Sequence, residues 1–276
     1  MGSGIDKVRE WWDAFPCNFG HSDWSPLTLH YSREVSTKKY KVEPHIPSFA
    51  EYDKWKNENV LDAGCGIGTM AIDFVKAGAD VTAVDLSSVS IRVAARRALA
   101  EGVRSNYIRF ICEDLERISR SPIINDRKYD LIFSFGVIHH TPDPAKALRE
   151  LRKLIRGIGE LRIMLYHKWS TKAIWLMLTG GWPFRSAQKC IERQSEANAN
   201  CPVAYSYSKR QAKKLLQENG WEPISIHVDH IFPYKIAPYK QGEYKKKWYW
   251  RLVPRFAFRL LERTFGWHLL IKAVPK

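Results

Sequence analysis

Between Asn59 and Tyr166, short apolar runs alternate with stretches of helical periodicity, and this alternation constrains the fold more than any other feature of the chain. It is the pattern of βαβ units, in which crossover helices join parallel strands and cover both faces of the sheet. Strands are predicted at 60–62, 81–85, 109–112, 129–135 and 160–166. Residues 129–135 are almost continuously apolar, as a central strand covered on both faces must be. Ser87 or Ser88 can cap a helix through Val89, Ala94, Ala95 and Leu99 that Gly102 closes. Asp143 followed by Pro144 opens another, with a stripe of Ala147, Leu148, Leu151, Leu154 and Ile155. Ser208 to Gln211 has capping-box spacing ahead of Ala212, Leu215 and Leu216, with Gly220 as the stop. Residues 223–228 then alternate like a strand, and 268–273 make a last one. The expected fold is an α/β, Rossmann-like doubly wound sheet, mostly parallel with an antiparallel last strand, plus an N-terminal helical segment and lid insertions.

A chain of 276 residues suits one such domain with appendages. We read residues 1–56 as an N-terminal cap segment and 57–276 as the domain, with insertions at 167–207 and 230–266. Hydrophobic residues at 45% and charged residues at 26% are ordinary globular values, which excludes a disordered chain. Five cysteines without a C-x-x-C pair argue against a disulfide scaffold, and a cytoplasmic setting is expected. The apolar run 173–178 is far shorter than the ~20 residues that span a bilayer. The first residues lack the apolar core of an export signal. The net charge of +15 favours anionic partners, although a solvated basic face explains it equally simply.

Asp62-Ala-Gly64-Cys-Gly66-Ile-Gly68 follows the first strand and opens a helix. Glycines there permit unusual backbone angles and let a ligand approach the main chain. The Gly-x-Gly-x-Gly spacing departs from the dinucleotide fingerprint, which disfavours a pyrophosphate cradle and suits a smaller ligand whose amino-acid portion lies on the loop. Asp85, ending the second strand, is placed to accept hydrogen bonds from ribose hydroxyls.

Residues 60–69 (VLDAGCGIGT), 83–87 (AVDLS), 112–115 (CEDL) and 135–144 (FGVIHHTPDP) together resemble the successive motifs of class I S-adenosylmethionine-dependent methyltransferases, most nearly the branch of ubiquinone and menaquinone biosynthesis. The resemblance covers about residues 57–166, with a weaker echo over 208–228. It implies S-adenosyl-L-methionine as cofactor. Gly64, Gly66 and Gly68, with Cys65 between them, would then line the methionine portion, and Asp62 would lie near its ammonium. Asp85, followed by Leu86, would hold the ribose, while Asp114 and Leu115 would meet the adenine edge. Ser134, Phe135 and Gly136 would lie near the cofactor at the end of the fourth strand. Relatives usually carry Pro-Gly-Gly before the fifth strand; here Arg156-Gly-Ile-Gly159 stands instead, and Gly157 and Gly159 are expected to supply the turn.

Methyl transfer from a sulfonium is an in-line displacement helped by positioning and, for a protonated acceptor, by a base. His139 and His140 follow the fourth strand and Tyr166 and His167 the fifth, on the edge where open α/β sheets bind ligands, so these four are the catalytic candidates. Each is equally a candidate for fixing its loop. His227 and His230 lack a third ligand nearby, and no metal site is expected.

Substrate choice falls to the segments outside the core. Trp11, Trp12, Phe15, Tyr31, Tyr40 and His45 precede the first strand, and Trp169, Trp175, Trp182, Phe184, Tyr205 and Tyr207 occupy a connection long enough for a lid. Residues 235–263 hold nine Lys or Arg against two Glu, interleaved with aromatics. That mixture suits an anionic membrane through 244–265, an acidic small molecule, or nucleic acid by stacking and phosphate contact. Nucleic acid is disfavoured, because no separate RNA-binding module or base-methylating Asn/Asp-Pro-Pro-Tyr motif is present.

The expected function is methyl transfer to oxygen or nitrogen of a small or medium-sized biosynthetic metabolite. Peptide or RNA methylation, carbon methylation of a quinone-like substrate, and a cofactor-binding module without turnover are the alternatives.

Overall fold

The computed structural model describes residues 4–179, 189–190, 201–240 and 243–276. Seven strands form one sheet: β1 (Asn59–Ala63), β2 (Asp80–Asp85), β3 (Ile108–Cys112), β4 (Tyr129–Phe135), β5 (Ile155–Tyr166), β6 (Trp221–Asp229) and β7 (His268–Pro275). Their order is β3-β2-β1-β4-β5-β7-β6. The first five are parallel, and β7 runs antiparallel between β5 and β6, with Ile271 opposite both Ile163 and Ile226. The order reverses between β1 and β4, which places the ligand crevice of such a sheet at the carboxyl ends of these two strands.

Period-two alternation sends successive residues of one strand into two cores. Ile132 joins Leu61, Val84, Ile163, Leu269 and Trp221 on one face. Leu131, Phe133 and Phe135 join Val60, Val81, Phe74 and Leu270 on the other. The first core is closed by α6 (Pro144–Arg152) and α8 (Lys209–Glu218). Asp143 caps α6 by accepting the Lys146 amide, and Ser208 and Gln211 form the capping box of α8. On the other side lie α3 (Ile46–Ala50), α4 (Thr69–Lys76) and Trp55. The helix α5 (Ser88–Ala100), capped by Ser87, receives α2 (Leu29–Val42) through Tyr31, Val35, Ile67 and Val93.

The segment before β5 departs from expectation. Residues 156–159 form no separate turn but belong to β5, whose register against β4 shifts so that Tyr129 pairs with Ile155 and Leu131 with Glu160. Gly159 serves close approach there, since a Cβ would lie 3.0 Å from the Asp130 carbonyl oxygen and 2.7 Å from the Ile155 side chain. Ile155 accordingly starts β5 and does not extend the α6 stripe.

The N-terminal segment contributes α1 (Gly4–Ala14), α2 and α3, which lie over the carboxyl edge and one flank of the sheet. After β5 comes α7 (Thr171–Thr179). Trp182 and Phe184, two of the aromatics assigned to a lid, lie outside the described residues. Between β6 and β7 run α9 (Ile236–Lys240), α10 (Trp248–Leu252) and α11 (Arg255–Phe265). The stretch 244–265 is thus two helices broken at Val253-Pro254, where proline favours an extended preceding residue. Among the described residues no helix is long and apolar enough to cross a membrane.

Candidate active site

The turn after β1 can form only because three of its residues tolerate left-handed angles. Gly64, Gly66 and Gly68 have φ of 91°, 52° and 81°. A Cβ on Gly64 would fall 2.2 Å from the Val137 side chain, and one on Gly68 would fall 2.9 Å from Ala94. These two glycines hold the loop tightly against the fourth-strand loop and α5. At Gly66 a Cβ would meet nothing within 4 Å, so this residue offers bare main chain to open space. Arg97, fully buried on α5, anchors the same loop by donating to the Ile67 carbonyl at 2.7 Å and to Thr69 Oγ1 at 2.8 Å, while also reaching Ser32 and Ser36 of α2.

Two carboxylates lie behind this loop. Asp85 accepts the Gly66 amide on Oδ2 and the Ser87 amide on Oδ1, both at 2.8 Å. Burial pushes its pKa up to about 6 against the pull of those amides. Asp62 is fully buried and has no cationic partner among the described residues, the Ala71 backbone being the group that pulls its pKa down. Burial, with the Asp85 charge adding to it, raises its pKa to about 8. An ionisable group buried in this way without a counter-charge matches a cationic ligand group that would both pair with it and ionise it. The amino-acid ammonium and ribose of S-adenosylmethionine are such groups, and the residues present fit them.

The remaining cofactor candidates are mainly wall and scaffold. Cys65 is buried, its thiol pushed up by burial, and its amide donates to the Val84 carbonyl. The Leu86 carbonyl accepts the Cys112 thiol. Asp114 is buried with Leu115, and its Oδ1 accepts the Glu116 amide. Ser134 spends its hydroxyl on the Ala63 carbonyl, tying β4 to β1. Phe135 packs away from the glycine loop, against His45 and His268. Gly136 turns the chain with φ of 80°.

Three of the four catalytic candidates, His139, His140 and Tyr166, come together at the ends of β4 and β5. The His139 and His140 rings are 4.4 Å apart, and Tyr166 lies 3.8 Å from His139 and 5.4 Å from His140 by ring centroid. His140 Nδ1 is 2.7 Å from the Val203 carbonyl oxygen. A carbonyl only accepts, so Nδ1 carries the proton and the neutral ring keeps its lone pair on Nε2. Trp12 of α1 sets its ring edge-on to His140 at 5.3 Å, and Trp267 stacks on Tyr166 at 4.2 Å. His167 is instead tied to the segment before β7: Nδ1 is 3.1 Å from the Gly266 carbonyl, and burial lowers its pKa.

Residues 60–159 match the family described as methyltransferase domain. The match runs from β1 into the start of β5 and includes the glycine loop. The ubiquinone biosynthesis O-methyltransferase of Serratia proteamaculans is 32% identical over 125 residues, covering 45% of this chain and 48% of that protein. The enzyme of the same name from Paraburkholderia phymatum is 28% identical over 154 residues, covering 56% of each. The chain therefore spans about half the length of the curated relatives it matches. Among solved structures, magnesium protoporphyrin IX methyltransferase from Synechocystis PCC 6803 superposes with a TM-score of 0.62 at 16% identity, covering 98% of both chains. The 1,6-didemethyltoxoflavin-N1-methyltransferase of Burkholderia thailandensis gives 0.55 at 16%, covering all of this chain and 92% of that one. These two likenesses are of fold, and they reach past the methyltransferase domain into the flanking segments.

Three elements of the methyltransferase domain's surroundings escaped the motif reading. Asp13 of α1 accepts Ser87 Oγ at 2.7 Å and the Val89 amide at 3.2 Å, fastening the N-terminal helix to the rim of the loop. Arg97 showed only as a charge in the apolar register Val93, Ala94, Ala98, a signal that periodicity alone could have flagged. The third is a cluster of Glu43, His230 and His268, whose ligand atoms lie within 4.8 Å of one another, with His45 Nε2 3.0 Å from His268 Nδ1. The sequence had paired His230 with His227 and found no third ligand. His227 is exposed whereas His230 is buried, so the grouping is corrected.

Proposed function

We propose that the protein transfers a methyl group from S-adenosylmethionine to an oxygen or nitrogen of a small or medium-sized biosynthetic metabolite. The observation that carries this reading is the buried Asp62 carboxylate behind a glycine loop whose middle residue faces open space. Oxygen is the favoured acceptor atom, because the relatives named above are O-methyltransferases. When bound, the cofactor supplies an electrophilic methyl group on a sulfonium. Asp62 pairs with the ammonium, Asp85 accepts from the ribose hydroxyls, and Asp114 with Leu115 borders the base. His140 takes the acceptor's proton on Nε2, held in that tautomer by Val203. His139, Tyr166, Trp12 and Trp267 form an aromatic wall that suits a flat acceptor.

Calorimetric titration of the purified protein with S-adenosylmethionine and, separately, with NADH tests the assignment. Binding of the first alone is expected; binding of NADH alone, or of neither, would remove it.

A membrane contact supports the same reading from the outside. Trp248 and Leu252 of α10 and Phe256 and Leu260 of α11 are 69%, 74%, 80% and 67% exposed, with Lys245, Lys246, Lys247, Arg251, Arg255 and Arg263 interspersed. Exposed rings and leucines among cations match an anionic lipid surface. Sedimentation with phosphatidylglycerol vesicles, lost in Phe256→Glu with Leu260→Glu and absent with phosphatidylcholine, is the expected result. A cytoplasmic setting fits five cysteines, an odd number without a C-x-x-C pair.

A further inference from the structure

We infer that Glu43, His230 and His268 bind one divalent transition-metal ion, of which zinc is the type, beside the aromatic wall of the acceptor site. Three separate segments bring these side chains together: Glu43 ends α2, His230 follows β6, and His268 opens β7. Their ligand atoms lie within 4.8 Å of one another. Ligand atoms on a tetrahedral zinc are about 3.3 Å apart, so side-chain movements of about 1.5 Å close the site. Two imidazoles and one carboxylate form a donor set that suits zinc, with a position left open for water or substrate.

Several features fit a site better than filler. His230 and His268 are buried, and their rings stack at 4.4 Å and 27°. His230 holds a left-handed backbone, φ 72°, that costs a residue with a Cβ on the order of 1 kcal/mol. That backbone is held by the Trp267 amide donating to the His230 carbonyl at 2.7 Å and by Asp229 Oδ1 accepting the His230 amide at 2.7 Å. Lys39 Nζ lies 2.5 Å from Glu43 Oε2, which leaves Oε1 for the ion. His45 is the orienting partner: when His268 Nδ1 donates to it, His268 Nε2 becomes the ligand, the arrangement that metal-bound histidines favour.

The position gives the ion a role. His268 pairs with Tyr166 across β5 and β7, and Trp267 stacks on that tyrosine. An ion held here would neighbour Tyr166 and Trp267 of that wall, where it could hold an acceptor oxygen and lower the pKa of its hydroxyl. This role rests on the methyl-transfer reading, whereas binding of the ion does not.

Chelator-treated full-length protein titrated with zinc chloride should take up one ion per chain. Affinity should fall by about 100-fold in His230→Ala and His268→Ala, fall by about tenfold in Glu43→Gln, and stay unchanged in the exposed-residue control His227→Ala. Cobalt(II) absorption of the wild-type protein, altered in the conservative Glu43→Gln variant, keeps the test valid where an alanine variant fails to fold. No uptake by the wild-type protein, or uptake indifferent to all three substitutions, overturns the site. Zinc uptake with turnover unaffected by chelation, at intact S-adenosylmethionine binding, keeps the site and overturns the role. Uptake without S-adenosylmethionine binding keeps the site and removes the methyl-transfer reading.

Discussion

The two halves of the site are held together over different distances along the chain. At the ends of β1 and β2 the parts are close in sequence: the glycine loop directly follows its strand, and the Gly66 amide reaches Asp85 only 19 residues on. At the ends of β4, β5 and β7 the contacts are remote. Trp12 meets His140, His140 meets Val203 63 residues on, and His45 meets His268 across 223 residues. The near half is rigid because its geometry is written into local backbone angles. The far half depends on the docking of α1, α2 and the β6–β7 connection; α1 and α2 also brace the glycine loop through Asp13 and Ser32, so the β6–β7 connection is where an acceptor can be chosen with least effect on cofactor binding.

Substitutions can break this comparison, beginning with the largest effect. His140→Ala should lower kcat by about a thousandfold while leaving the affinity for S-adenosylmethionine unchanged, since it removes a proton acceptor from the far half alone. A loss of cofactor affinity of similar size in calorimetry would mean that the halves are not separable. Asp85→Ala should weaken cofactor binding by about a hundredfold, through lost hydrogen bonds to the charged carboxylate and to the loop it organises. Unchanged affinity in that variant would remove the ribose assignment.

The pH response sharpens the contrast. With a folded pKa of about 8 against an ordinary 3.8, Asp62 retains a proton that the unfolded chain has already released. Its contribution to stability therefore falls as pH rises from about 4 to about 8 and is level above that. Pairing with an ammonium ionises it, so cofactor binding at pH 7 should release close to one proton, and affinity should rise about fivefold between pH 7 and 8. Calorimetry in two buffers of different ionisation enthalpy measures the release, which Asp62→Asn should abolish. The smallest expected effect is that of Trp12→Ala. Loss of the edge-on contact with His140 should reduce kcat/KM about fivefold, mainly through KM, in steady-state assays with any accepted substrate.

Much of this was legible in the residues. The strands, the capping by Asp143 and Ser208, and the positive-φ glycines follow from local propensity and backbone sterics, which act over a few neighbours. The antiparallel β7 was expected as well. The segment 156–159 was misread because a glycine pair signals freedom and not its use: the chain spent Gly159 on close approach to Asp130, and β5 absorbed the supposed turn. His227 and His230 looked like partners because spacing on a strand is visible, whereas which of them faces inward depends on the end of β6 and the reversed backbone at His230.

By itself, then, the sequence determined the doubly wound sheet, the glycine loop and the two acidic positions behind it, since each is fixed by interactions within one strand-turn-helix unit. Only the tertiary structure decided that Asp62 is buried without a cationic partner, that Arg97 braces the loop, that α1 lays Trp12 against His140, and that Glu43, His45, His230 and His268 meet. The physical reason is range. Burial and long-distance contact depend on how separate elements pack, and neither leaves a periodic trace in the residues that make them.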